Sequence, residues 1–570
     1  MSVIHKLDVS RSDGDAQNTF SSEGTAHGTI GEIIAELLWH AGVDAAFGVI
    51  SIHNMPILDA IGRAGKIRFI PSRGEAGGLN MADAYARVRG GLGVAFTSTG
   101  TAAGNAAGAL VEALTAGSPV LHITGQIETP HLDKGRAYIH EAPQQLEMLK
   151  AVSKAAFRIW TPDSAAGIVQ KAIRIALSPP MGPVSIEIPI DVQAAMARFP
   201  KNVSFDPNPV PPATDDQIEE LAQLLRTAKR PMIMLGGGAR NANESATRLA
   251  DAGVGVVTST NGRAVVRETH PMSLGAFNVG METQELYDKC DLLIVAGSRL
   301  RSNETLNYQL RLPDNTVMID CDPAANGRSY KNTFFLCGDC CDVLNRLAER
   351  IPDQISTDPR FPDEISAARD NMVARLRESV KPYTEMIDTL QHLMPEDAVW
   401  LRDVTISNSM WGNRYLRISD PRNGVHAVGG GIGQGIPMAT GAARAAGHRT
   451  VVALVGDGGV SLSLGELATL VEEKARVIIL LMNDSGYGVI RNIQDVQYGK
   501  RRYYSDILIP DFNKICAAIN LQYTQVTKLS AFPEAFSTAL KANGPSMIEV
   551  DMTQIGPMHH KFSGPPKKTT

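Results

Sequence analysis

An apolar run at 451–455 (VVALV) stops abruptly at Gly456-Asp457-Gly458-Gly459, and a second at 477–482 (VIILLM) stops at Asn483-Asp484-Ser485-Gly486. Between them Leu464, Leu467, Leu470 and Val471 recur with the period of one helix face. Strand, helix, strand in this order is a βαβ unit. Its parallel strands, joined by a right-handed crossover, carry their C-terminal ends on the same edge of a sheet. Asp457 and Asp484 are therefore expected to converge although a whole helix separates them. The glycines after Asp457 let backbone N–H groups approach an anion, and the start of a helix favours phosphate there. Two carboxylates beside a diphosphate suit Mg²⁺, which takes few protein ligands and completes its shell with phosphate oxygens. The plainer reading makes Asp457 a helix cap, but it leaves the second acidic strand end, Asp484, as a coincidence. Neither a P-loop nor a complete G-x-G-x-x-G occurs at any glycine cluster (236–238, 429–435, 456–459).

A chain of 570 residues exceeds one hydrophobic core and suits three domains. Its 44% apolar content is that of a globular protein, and a net charge of −5 provides no basic footprint for nucleic acid. Cys337, Cys340 and Cys341 cluster as CGDCC, but a single C-x-x-C without a second pair is a weak metal signal, and packing at a strand end explains it. Residues 1–25 are polar, lack an apolar signal region and read as a disordered or subunit-contacting arm. No window is long and apolar enough for a membrane span, so the expected location is cytoplasmic.

Ile30, Ile33, Ile34, Leu37 and Leu38 form one helical stripe, and short apolar strands alternate with helices as far as Val184-Ser185-Ile186-Glu187-Ile188. The proline-rich stretch 199–213 marks a linker. A second α/β block follows, with strands at 231–235, 291–296 and 316–320, and the chain turns polar again around 351–362. The expected fold class is α/β, with three doubly wound parallel-sheet domains at 26–198, 214–350 and 364–555 and a tail at 556–570.

GDG, followed one helix and one strand later by Asn-Asp and then Gly-Tyr-Gly, resembles the thiamine-diphosphate motif of the acetolactate synthase and pyruvate decarboxylase superfamily. FGVISIHNMPIL, SRGEAGG, FTSTGTAAGN, SPVLHITGQ and AYIHEAPQQLEML match family segments in the same order. The resemblance covers nearly the whole chain. It implies a pyrimidine-binding, a central and a diphosphate-binding domain, with thiamine diphosphate and Mg²⁺ as cofactors. It places the metal on the side chains of Asp457 and Asp484 and the carbonyl of Gly486, with Gly458 and Gly459 beside the diphosphate. Glu75 falls where the family's carboxylate activates the aminopyrimidine, and Ala76, Gly77 and Gly78 would let the ring approach closely. Ile432, within GGIGQGIP, takes the position that holds the cofactor bent. Asn408 and Ser409 fall near the diphosphate-contacting segment, but only after a one-residue shift. His53 matches an active-site histidine found in benzaldehyde-lyase-like members, and His140 stands where glutamine is usual. Both are candidates for proton transfer near neutral pH.

Because Glu75 and Asp457 belong to different domains, the resemblance implies a cofactor bridging two subunits of a homodimer or homotetramer. The expected reaction makes or breaks a C–C bond of a small 2-oxo acid or 2-hydroxy ketone; decarboxylase, carboligase and lyase stay open. A non-catalytic subunit of the same fold, or a flavin or nicotinamide oxidoreductase, are the alternatives. Three departures weigh against a biosynthetic acetolactate synthase. Ile493 replaces a tryptophan, His140 replaces the glutamine, and Arg299-Leu300-Arg301-Ser302-Asn303 replaces the flavin-contacting R-F-D-D-R, which leaves FAD open. Arg491 is either a partner for a substrate carboxylate or a surface ion-pair residue. Lys154 reads as a surface lysine.

Overall fold

The structure is a computed structural model that describes residues 27–564. The expected arm at 1–25 and the end of the tail lie outside the described residues.

Runs such as Val184–Pro189, Leu292–Ala296 and Val451–Gly456 are buried along their whole length. Strands apolar on both faces need helices on both sides, which is what parallel sheets provide. Three such sheets form, as expected from the sequence. The first-domain sheet has six parallel strands in the order Arg68–Pro71, Ala45–Gly48, Gly93–Thr97, Val120–Gln126, Val184–Pro189, Ala155–Arg158. The central sheet has five, with Gly255–Thr258 at one edge and Phe334–Cys337 at the other; neither edge strand was read from the sequence. The third has six: Gly424–His426, Val399–Arg402, Val451–Gly456, Val477–Asn483, Ser546–Asp551, Gln522–Val526.

Strand order reverses between Ala45–Gly48 and Gly93–Thr97 in the first sheet, and between Val399–Arg402 and Val451–Gly456 in the third. At such switch points the connections diverge to opposite faces and leave a crevice beyond the carboxyl ends of the strands. His53 and Ser98 follow the first pair of strands, while Asp403 and Asp457 follow the second.

One expectation needs correcting. The helix between the two acidic strand ends is two helices, Asp457–Leu462 and Glu466–Glu472, broken at Ser463, where the backbone leaves the helical region (φ −124°, ψ 28°). Serine and glycine at 463 and 465 are poor helix formers, so apolar periodicity alone overestimated continuity.

The first and third domains pack directly on each other. Helix Glu75–Arg89 lies on helix Gly435–Ala446 so closely that a Cβ on Gly441 would sit 2.0 Å from the Met81 carbonyl. Ala84 and Val88 join the core of the third domain. Beside them Arg87 is buried with Asp83 and Glu112. Glu112 accepts hydrogen bonds from the backbone N–H groups of Val428 (2.8 Å) and Gly429 (2.6 Å). A buried ionic group stabilises little in itself, but removing one partner is costly, so this cluster fixes how the two domains dock. Among the described residues, no helix is long and apolar enough to cross a membrane.

Candidate active site

The third-domain half begins at Gly456, where the central strand ends. Asp457 opens the following short helix, and its Oδ2 accepts the Gly486 N–H at 2.7 Å, which draws the two strand ends together. A Cβ on Gly458 would come 2.8 Å from the Tyr487 ring and 3.4 Å from the Gly486 carbonyl oxygen. The first turn of the helix therefore lies against the loop that carries Asp484. Burial raises the Asp457 and Asp484 carboxyls, and for Asp484 the next cause is the neighbouring Asp457 charge. Arg491 opposes this, with Nη2 3.2 Å from Asp484 Oδ2 and Nη1 3.4 Å from Asp506. Its guanidinium belongs to this ion-pair set. Two desolvated carboxylates that repel each other, with a carbonyl oxygen beside them, favour a divalent cation. Among the described residues no group of three or more His, Cys, Asp or Glu forms a metal cluster, and that includes the cysteines of CGDCC.

A second loop converges on this turn. Asp403, just past strand Val399–Arg402, accepts the Gly433 N–H at 3.0 Å, and a Cβ on Gly459 would lie 2.9 Å from its Oδ2. Burial pushes the Asp403 carboxyl up to about 6, against the pull of backbone N–H groups from Val404 and Gly433 to Gly435. Asp403 thus ties the glycine loop of Ile432 to the GDG turn, a role not read from the sequence. Ile432 remains 37% exposed, held out from that loop. Asn408 starts a wide π-type turn, Asn408–Gly412. It is buried, with its amide 3.4 Å from His426 Nδ1, whereas Ser409 is half-buried. Ser407 Oγ, Gln434 Oε1 and Ser463 Oγ are buried without a protein partner.

The first-domain half is more open. Glu75 is the first residue of its helix and is half-buried, and its Oε2 accepts from Asn105 Nδ2 at 3.2 Å. The glycines after it serve packing within the protein, contrary to the sequence-based expectation. A Cβ on Gly77 would meet Glu466 Oε1 at 2.1 Å, and one on Gly78 would meet Gly48 Cα at 2.7 Å. His53 and His140 do come together, their rings edge to face at 5.3 Å. His53 is buried, its backbone carbonyl held by Gln193 at 2.6 Å and its Nδ1 3.5 Å from Ser98 Oγ. Burial first, then the neighbouring His140, lowers its pKa below 6.5, with Glu128 pulling the other way. His140 is exposed and has a left-handed backbone (φ 67°). Its carbonyl lies where a Cβ on Gly100 would be, at 2.2 Å.

Three family models match in series: the N-terminal thiamine pyrophosphate binding domain at 28–149, the central domain at 218–347 and the C-terminal thiamine pyrophosphate binding domain at 406–550. The chain belongs to the thiamine pyrophosphate enzyme family. It is 29% identical to the probable 2-ketoarginine decarboxylase AruI of Pseudomonas aeruginosa, over 81% of this chain and 83% of that protein. It is 27% identical to the probable acetolactate synthase large subunit of Methanocaldococcus jannaschii, over 91% of each. It is also 27% identical to acetolactate synthase isozyme 3 large subunit of Escherichia coli, over 93% of this chain and 95% of that one.

Within this thiamine pyrophosphate enzyme, the residues fit the cofactor. Unpartnered buried hydroxyls at Ser407 and Ser463 lie in the segments that meet the GDG turn, and the Asp457–Asp484 pair calls for a cation. Asn408 opens a π-type turn, Asn408–Gly412, a widening of the helical turn that is common near functional sites. Arg299 and Arg301 of the central domain donate to the carbonyls of Thr115 and Val428, in the first and third domains. Lys154 Nζ is likewise engaged, by the carbonyls of Ile175 and Ser178 at 2.7 Å.

Proposed function

We propose that this enzyme uses thiamine diphosphate and Mg²⁺ to cleave or form a C–C bond next to a carbonyl, acting on a 2-oxo acid or a 2-hydroxy ketone. The observation that carries the reading is the mutually repelling pair of buried Asp457 and half-buried Asp484 beside the Gly486 carbonyl, on the same crevice as the Ile432 loop. Asp457, Asp484 and Gly486 would hold the metal. Gly458, Gly459 and the Asn408–Ser409 turn would line the diphosphate, and Ile432 would support the bend. When bound, the cofactor supplies a nucleophilic carbon and an electron sink for the bond being broken.

The side chains do the rest. Glu75 would hold a proton at the aminopyrimidine. His53, kept neutral near pH 7 by burial, would accept a proton from the bound substrate, and exposed His140 would exchange it with solvent.

The proposed active assembly is a homodimer or a pair of dimers, with the first-domain half from one subunit and the third-domain half from the other. In its support, Ile50, Ile52 and Ile139, which flank the histidines, are 57%, 68% and 71% exposed, and Leu462 beside the GDG turn is 61% exposed. Apolar side chains this open around a polar site suit a subunit interface.

The test is a substrate panel of pyruvate, longer and aromatic 2-oxo acids, 2-ketoarginine and acyloins, read by mass spectrometry with and without each cofactor. The panel includes 2-ketoarginine because one relative carries that name. Product that requires both cofactors supports the proposal. Carbon dioxide with an aldehyde marks a decarboxylase, and a longer hydroxy ketone marks a carboligase. Tight cofactor binding without product from any compound favours a silent subunit of the fold.

A further inference from the structure

We propose that Glu466 is the positioning residue for Glu75: a third-domain carboxylate clamps the entry turn of the first-domain helix that opens with Glu75. The inference rests on the reading of Glu75 as the group that acts on the cofactor.

Helix Glu75–Arg89 has no cap of its own, because Gly74 stands at the capping position and carries no side chain. The first N–H groups of a helix lack partners within it, and with no side-chain cap here the residues leading into the helix are positioned from outside it. Glu466 reaches across the domain boundary to this entry. Its Oε1 accepts the Arg73 N–H at 2.9 Å, and the Gly74 N–H also acts on the carboxylate. The helix rests on the same oxygen, since a Cβ on Gly77 would lie 2.1 Å from Oε1. The other oxygen, Oε2, accepts from Thr469 Oγ1 at 2.7 Å, which fixes the carboxylate plane.

Arg73 closes the clamp from its own side. Its Nη1 donates to Thr469 Oγ1 at 3.2 Å and its Nη2 to Glu472 at 2.6 Å, while a Cβ on Gly465 would be 3.3 Å from Arg73 Cβ. Glu466 is 4% exposed, so the carboxylate works in a desolvated setting where its hydrogen bonds are strong.

Location makes this more than a structural bond. Arg73 and Gly74 immediately precede Glu75, so the direction in which that carboxylate leaves the backbone follows from where the entry turn is held. A catalytic group displaced by about 1 Å loses up to about 100-fold in rate. Glu466 itself starts the second of the two helices between Asp457 and Asp484. The break at Ser463 lets this second helix diverge from the GDG turn and meet the first domain. One short segment therefore carries the metal loop at its start and the Glu75 clamp at its middle.

Two readouts test the proposal. The first is amide hydrogen exchange of the cofactor-free full-length protein across residues 72–78, comparing wild type with Glu466→Ala and Glu466→Gln. Faster exchange at Arg73 and Gly74 is expected in the alanine variant. The glutamine variant, whose amide oxygen still accepts one N–H, is expected to recover at least half of the protection. The second is turnover. Glu466→Ala should lose about 10- to 100-fold in kcat, while the thiamine diphosphate Kd, by calorimetry with Mg²⁺, changes less than about threefold because the metal loop is intact.

If the alanine variant does not fold, Glu466→Asp, one methylene too short to reach Arg73, replaces it. Unchanged exchange at 73–74, or wild-type kcat in a folded variant, overturns the proposal. Glu75→Gln is the control that separates the two readings. Full activity in Glu75→Gln overturns the role of Glu75, and the positioning role with it, whatever the exchange data show.

Discussion

The two halves of the site solve opposite problems. In the third domain the ionisable groups crowd together: buried Asp457 at its helix start meets half-buried Asp484 in the next loop, and Asp403 is held beneath the Ile432 turn. In the first domain Glu75 and His140 face outward, His53 is the one buried member, and their direct partners are few. A half built on like charges is completed by a cation. A half whose proton carriers range from buried His53 through half-buried Glu75 to exposed His140 would be completed, on the proposed reading, by a ring and a substrate. On the proposed reading the two halves divide the work: the third domain would hold the metal and diphosphate, and the first would act on the ring.

Substitutions that remove chemistry without binding sharpen that division most. Glu75→Gln should lower kcat by about 100- to 10,000-fold, with thiamine diphosphate and Mg²⁺ still bound, as steady-state rates beside calorimetry would reveal. His53→Ala is next, with a loss of about 100-fold in kcat. Its pH behaviour has a definite sign. Burial and His140 hold the His53 pKa below 6.5, so the neutral base persists at pH 7 and activity falls only as acid protonates it. In His140→Gln one of those causes is gone, and the midpoint of the acid limb should move upward, toward 6.5, in a kcat/KM profile.

Ile432→Ala follows, with a fall of about tenfold or somewhat more in kcat from a cofactor no longer held bent. Being 37% exposed, that side chain should leave the melting temperature within about 2 °C. A large loss of stability there would break the comparison, because it would make Ile432 a core residue. The smallest effect is on the fold alone. Burial lowers the pKa of His122, within the first sheet, to about 3. The unfolded chain binds that proton below about 6.5, so stability should decline as pH falls from 6.5 toward 3. Thermal denaturation across that range checks it, and His122→Asn should flatten the slope.

Local pattern explains what could be read from the sequence. The three parallel sheets follow from apolar runs punctuated by glycine and proline, and Asp457 and Asp484 follow from one contiguous βαβ unit. The His53–His140 pair was also foreseen, through family segments. Asp403 and Glu466 were not. Each acts through backbone N–H groups distant in the chain, Asp403 on Gly433 and Glu466 on Arg73, and neither lies in a pattern of its own. Gly77 was misread for the same reason: a glycine near a cofactor motif suggests a ring, whereas the atom that excludes its Cβ belongs to Glu466. The break at Ser463 escaped because Leu464, Leu467 and Leu470 all lie past it, so their spacing describes only the second helix and its lead-in.

The most direct test of the division between holding and acting is calorimetric titration of thiamine diphosphate, with and without Mg²⁺, into wild type, Asp457→Asn and Glu75→Gln. The account predicts that Asp457→Asn loses about 100-fold or more of the Mg²⁺-dependent affinity, roughly 3 kcal/mol, while Glu75→Gln binds within a fewfold of wild type. Equal losses in both variants, or Mg²⁺-dependent binding that survives in Asp457→Asn, would contradict it.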